Sequence, residues 1–111
     1  MRVESPVIID VWRVEPEHRD EFLALAREYL RHVAAPHPGF VSAEVYESAS
    51  GGEVLVKVHM RSAADRRHLS DSREFEELFR RARGLARAHW GLYRLVERLG
   101  PPTEAQGAAE A

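Results

Sequence analysis

Residues 7–14 read VIIDVWRV, and this octapeptide constrains the fold more than any other stretch of the chain. Its β-branched and aromatic side chains favour extended backbone. Alternate side chains of a strand point to opposite faces. Val7, Ile9 and Val11 therefore share one face, and Ile8, Asp10 and Trp12 the other. A strand that is apolar on both sides needs covering on both sides. Asp10 interrupts the pattern. An unpaired carboxylate in an apolar core is costly, so it needs a partner or a chemical role.

Around this strand the apolar period alternates between strand-like and helix-like. Pro16, flanked by Glu15 and Glu17, suits the first turn of a helix, where acids complement the dipole. Phe22, Leu25, Ala26, Tyr29 and Val33 then recur at helical spacing over residues 17–34. The prolines and glycine of APHPGF end that helix. Residues 40–48 alternate, with Val41, Ala43 and Val45 on one face. Residues 53–61 alternate again, with Val54, Val56, Val58 and Met60 on one face, and Gly51-Gly52 joins the two runs as a hairpin. SAAD at residues 62–65 resembles a capping box opening a short helix, and SDSRE offers caps for a longer one. Phe75, Leu78, Phe79, Ala82 and Leu85 form the stripe of the longer helix, and residues 91–97 read as the last strand.

The resulting order, β-α-β-β-α-β, predicts an α+β ferredoxin-like sandwich with an antiparallel sheet. Residues 1–99 form the expected domain, and the Pro/Gly/Ala-rich residues 100–111 an expected disordered tail. Helices cover one face of such a sheet. The other face would expose apolar surface, so a face-to-face homodimer closing a barrel-like core is expected.

Composition excludes several functions. The chain has no cysteine, hence no disulfide or thiolate chemistry. Its formal net charge is -2, and its arginines are interleaved with acids, so no nucleic-acid partner is expected. No apolar run would span a membrane, and the first residues show no secretory pattern, so a cytoplasmic location is expected. His32 and His37 are separated by a helix end and Pro36, and neither HExxH nor a phosphate-binding glycine loop occurs. No metal or cofactor is therefore expected.

Three segments resemble the antibiotic biosynthesis monooxygenase (ABM) family: VEPEHRDEFLALAREYL, PGFVSAEVYES and VLVKVHMRSAADRRHLSDSREFEEL. The resemblance runs from about Val7 to Glu97 and is most specific between Met60 and Phe75. It implies a small dimeric α+β barrel. Some members oxidise quinols or anthrone-like polyketides with molecular oxygen and no cofactor, and others degrade haem. Relatives of the same architecture cyclise polyketides. His68 matches a position where many members carry His. Met60 falls where many carry Trp, and Val56 where an anthrone-oxidising member carries Asn. Phe79 aligns with the iron-binding His of the haem-degrading members, and Asp10 with their strand Asn. Phe cannot ligate iron, so haem degradation is set aside.

Asp10 and His68 are thus the expected catalytic pair, a carboxylate and an imidazole able to take a proton from a phenol or an acidic C–H. Desolvation of Asp10 would raise its pKa into a useful range. Trp12, Val56, Met60, Phe75, Phe79 and Trp90 are the expected walls for a flat aromatic substrate. The expected activity is cofactor-independent monooxygenation of a phenolic, quinol or polyketide-like aromatic. A cyclase or isomerase using the same base, or a non-catalytic small-molecule-binding dimer, are the alternatives.

Overall fold

In the computed structural model, residues 5–101 are described. Four strands form one antiparallel sheet: β1 (Val7–Val14), β2 (Phe40–Glu47), β3 (Glu53–Met60) and β4 (Ala86–Tyr93), in the order β2-β3-β1-β4. Helices α1 (Arg19–Tyr29), α2 (Ala63–Ser70) and α3 (Arg73–Arg83) complete the ferredoxin-like α+β fold. β1 lies inside the sheet, paired with β3 and β4 along its length, as its two-sided apolar pattern requires.

The helices form where the sequence places their caps and stripes. Pro16–His18 makes a tight turn leading into α1, whose Phe22, Leu25 and Ala26 are buried on one face. The helix continues as a wider turn over Leu30–Ala34, where the Ala35 N–H donates to Leu30 O at 2.9 Å, before Pro36 and Pro38 stop it. The Ser62 hydroxyl accepts from Asp65 N–H at the start of α2, and the Ser72 hydroxyl accepts from Phe75 N–H at the start of α3. Acids in the first turn of α3 and arginines in its last complement the helix dipole. Gly51, at φ +85, supplies the left-handed residue of the β2–β3 turn.

The core lies between sheet and helices. Trp12, Val14, Val54, Val56, Val58 and Met60 face Phe22, Leu25, Leu69, Leu78 and Ala82. Two strand expectations change. An irregularity between Phe40 and Ser42 breaks the alternation of β2. Phe40, Ala43 and Val45 pack on the core, while Val41 turns to the opposite sheet face. The last strand is Ala86–Tyr93 rather than residues 91–97. Its register runs from Val14↔Ala86 to Val7↔Tyr93, so the length of β1 fixes it despite the weak strand propensity of its alanines and glycine. Of the expected tail, residues 102–111 lie outside the described residues. Among the described residues, no helix is long and apolar enough to cross a membrane.

Candidate active site

On the helix-covered face of β1, Ile8, Asp10, Trp12 and Val14 form one row. Asp10 stands opposite Val56 of β3 and Trp90 of β4. It lines two adjoining spaces between sheet and helices. The inner one, about 40 Å³, is walled by Trp12, Val56 and the apolar faces of α1 and α3. The outer one, about 290 Å³, is walled by Ile8, Val58, Arg66, Ser70 and Trp90. Tyr29, Phe75 and Phe79 line both.

Aromatic rings build most of this boundary. Phe75 and Phe79, one turn apart on α3, stack with centroids 5.5 Å apart. Tyr29 meets Phe75 edge-on at 5.6 Å, and Trp12 meets Phe79 at 5.4 Å and Phe22 at 5.1 Å. Trp12 is only 3% exposed, whereas Trp90, across the ladder from Asp10, is 53% exposed. One indole seals the inner end, and the other stands at the mouth.

Burial raises the pKa of Asp10 from 3.8 to about 6, and hydrogen bonding from the Trp12 side chain offsets part of that rise. The carboxyl therefore stays mostly ionised at pH 7 and takes up a proton near pH 6. Burial, with the Asp10 charge second, pushes the Tyr29 phenol well above its usual value, so Tyr29 stays protonated. The outer space is also lined by Arg66, a half-buried cation whose Nε is buried and, among the described residues, has no hydrogen-bond partner. Its N–H is a donor without an acceptor.

Trp12, Val56, Phe75, Phe79 and Trp90 surround Asp10. Met60 does not. It is fully buried at the end of β3, opposite Phe40, and lines neither space. His68 also stands apart from Asp10. It is exposed, and its Nδ1 lies 2.9 Å from Nε2 of His37. The Gly39 N–H donates to His37 Nδ1 at 2.9 Å, so neutral His37 carries its proton on Nε2 and donates to His68. Helix period explains the separation. Leu69, the buried residue of α2, fixes which side of that helix faces the core. Arg66, one turn before it, and Ser70, one turn after Arg66, share that side, whereas His68 falls outside.

Three site residues were thus missed. Tyr29 is the one hydroxyl-bearing residue in the apolar stripe of α1, and a polar group in a buried stripe is its signal. Arg66 and Ser70 are four apart in ADRRHLS, around the one large apolar residue of that helix. Among the described residues, no group of three or more His, Cys, Asp or Glu could hold a metal ion.

Solved structures share this architecture. Rv0793 from Mycobacterium tuberculosis is 19% identical with a TM-score of 0.76, over 86% of this chain and 99% of that one. A conserved protein from Methanosarcina mazei Go1 is 16% identical with a TM-score of 0.74, over 81% and 91%. SnoaB from Streptomyces nogalater, a cofactor-independent oxygenase, is 15% identical with a TM-score of 0.74, over 89% and 100%. At such identities the likeness is one of fold. No curated protein matches the chain. The family model for antibiotic biosynthesis monooxygenases matches residues 7–81, which carry β1 through most of α3 and hence every residue lining the outer space except Trp90. The chain belongs to the antibiotic biosynthesis monooxygenase family.

Proposed function

We propose that this protein is a cofactor-independent monooxygenase of a phenolic or polyketide-like aromatic, with Asp10 as its base. The observation that carries this reading is a carboxyl that has no ionic partner among the described residues, with its pKa raised to about 6 by burial, in a cavity walled by aromatic rings. A base of this strength suits a ring-activated C–H or a phenol. The apolar walls hold a flat ring system and exclude water from its anion.

The carboxylate removes one hydrogen, as a proton, from an activated CH₂ of the substrate. The resulting anion transfers one electron to molecular oxygen, and the radical and superoxide combine to form a C–O bond. The peroxide takes the proton back from Asp10. Asp10 then removes the second hydrogen from the same carbon, the O–O bond breaks, and the departing hydroxide leaves as water. The sum converts CH₂ and O₂ into a carbonyl and H₂O, with Asp10 again a carboxylate.

The test is oxygen uptake over a panel of hydroquinones, dihydroxynaphthalenes and anthrones. Wild-type protein is expected to consume oxygen above the uncatalysed rate, and Asp10→Asn to lose roughly 10²–10⁴-fold of that rate, the range for a general base. The wild-type kcat/KM is expected to fall below about pH 6, where the base becomes protonated. Equal rates for the variant and wild type overturn the assignment. Product formed at full rate under nitrogen reassigns the chain to enolate cyclisation. The apolar Val56, directly across the ladder from Asp10, is compatible with that alternative.

Assembly belongs to the same reading. On the helix-free face, Val7, Ile9, Val41, Tyr93 and Leu95 line a groove of about 680 Å³, with Lys57, His59 and Arg94 beside them. We infer that a second copy covers this face, since exposed apolar area of this kind is unusual on a monomer. Sedimentation is expected to give twice the 12.6 kDa chain mass, and a species at the single mass removes the inference.

A further inference from the structure

The oxygenase reading uses Asp10 and the aromatic walls but leaves Arg66 idle. A buried Nε–H without an acceptor among the described residues carries a desolvation cost at that nitrogen. Arg66 also does nothing for Asp10, whose proton affinity is set by burial and by Trp12. Both line the outer space, so carboxylate and guanidinium occupy one cavity without neutralising each other. A ligand that satisfies both groups presents an acidic hydrogen to the first and an oxygen acceptor to the second. The N–H of a guanidinium in an apolar wall favours an anionic acceptor, because charge-assisted bonds are the stronger class and the cation then gains its missing counter-charge.

We propose that the cavity takes an aromatic oxyanion, a ring system bearing a carboxylate or an ionised hydroxyl, and that Arg66 Nε–H is the group that selects it. This rests on the cavity being the substrate site. The ring lies along Phe75 and Phe79 with Trp90 at the mouth, and its charged oxygen meets Arg66 on the α2 side, where the Ser70 side chain lines the same wall. Arg66 is then a specificity-determining residue. It fixes which edge of the ring reaches Asp10, and it holds negative charge that spreads onto the bound oxygen when Asp10 removes a proton.

The experiment compares 1-hydroxy-2-naphthoate, 1-hydroxy-2-naphthamide and 2-hydroxy-1,4-naphthoquinone as probes, with binding read by titration calorimetry at pH 7.5. The proteins are wild type, Arg66→Gln, Arg66→Lys and Asp10→Asn. Wild type is expected to bind the naphthoate about 10- to 100-fold more tightly than the amide, the scale of a charge-assisted bond against a neutral one. Arg66→Gln is expected to erase that ratio by weakening the naphthoate alone, with the amide affinity unchanged and the thermal midpoint not lowered. Arg66→Lys, which keeps the charge without the Nε–H fork, is expected to recover part of the ratio. The ionised hydroxynaphthoquinone separates the two sources of oxyanion. Discrimination for it and not for the naphthoate, or the reverse, names the class, and either outcome supports the proposal. Equal affinity of wild type for acid and amide together with hydroxynaphthoquinone binding that Arg66→Gln leaves unchanged, binding of no probe, or an acid-to-amide ratio that survives Arg66→Gln overturns it. Asp10→Asn is expected to retain the ratio while losing turnover. If the ratio stands and turnover is unaffected by that variant, the oxyanion proposal holds and the oxygenase reading fails.

Discussion

The helix-facing row of β1 has two unlike ends. Val14 and Trp12 are sealed, each 3% exposed, with Trp12 wedged between Phe22 and Phe79. Asp10 and Ile8, on the same face of the same strand, open onto a cavity of about 290 Å³. What differs is the roof. Over Trp12, α1 and α3 present the apolar side chains of Phe22, Leu25, Leu78 and Ala82. Over Ile8 and Asp10, the short helix α2 presents Arg66 and Ser70, and the neighbouring strand offers Trp90. Helix length and composition thus divide one sheet face into a part that stabilises and a part that is left free for chemistry.

The largest expected effect comes from breaking the sealed end. Trp12→Ala removes an indole that two aromatic rings enclose and should destabilise the fold by about 3–5 kcal/mol, measured by chemical denaturation. A cost under about 1 kcal/mol would mean that this end is not the tighter one.

Asp10→Asn should act at the open end in the opposite sense. The Asp10 pKa lies at about 6 in the native protein and near 3.8 unfolded. Below 3.8 the carboxyl is neutral in both states. Between the two values the unfolded chain ionises while the native protein holds its proton, so a destabilising term grows with pH and is complete above about 6. Asparagine escapes it. The variant should be more stable than wild type by about 2–3 kcal/mol at pH 7.5, with the gap closing towards pH 4. A gap independent of pH would show that Asp10 is not desolvated.

The smallest effect is expected outside the cavity. His68→Ala removes an exposed imidazole bonded to His37. It should change stability by less than about 1 kcal/mol and leave oxygen uptake and its pH profile unaltered. A turnover loss comparable to that of Asp10→Asn would place His68 at the chemistry after all.

Local rules located most elements because each carries its own signal. Two-sided apolarity made β1 an interior strand, and Ser62 and Ser72 capped the helices they precede. Residues 91–97 draw the strand reading because Leu92, Tyr93, Leu95 and Val96 are larger apolar side chains with stronger strand propensity than Ala86 and Ala88. Pairing with β1 is a long-range term that no local window contains. The same holds for Val41, whose face depends on an irregularity against β3. Asp10 was legible because a charge in an apolar strand is locally anomalous. Phe75 and Phe79 follow from helical period, and Trp12 from the alternation of β1. Arg66 was hidden in a run of charged residues, where solvation is the ordinary reading. Its side of the helix depends on Leu69, and its isolation from any acceptor is a property of the packed molecule.

Gly39 has no room for a side chain: a Cβ there would lie 2.3 Å from the Asp65 carboxyl carbon. Asp65 in turn accepts from Ser62 and Arg61 at the N-terminal end of α2, and the Arg61 N–H donates to Gly39 O at 2.7 Å. The turn before β2 and the first turn of α2 are therefore riveted together, and α2 is poorly placed to act as a flap. At the mouth of the cavity stands instead the half-exposed indole of Trp90. Side-chain rotation takes picoseconds to nanoseconds where a lid takes microseconds or longer, so entry to the cavity past Trp90 would be set by a side chain and not by movement of α2.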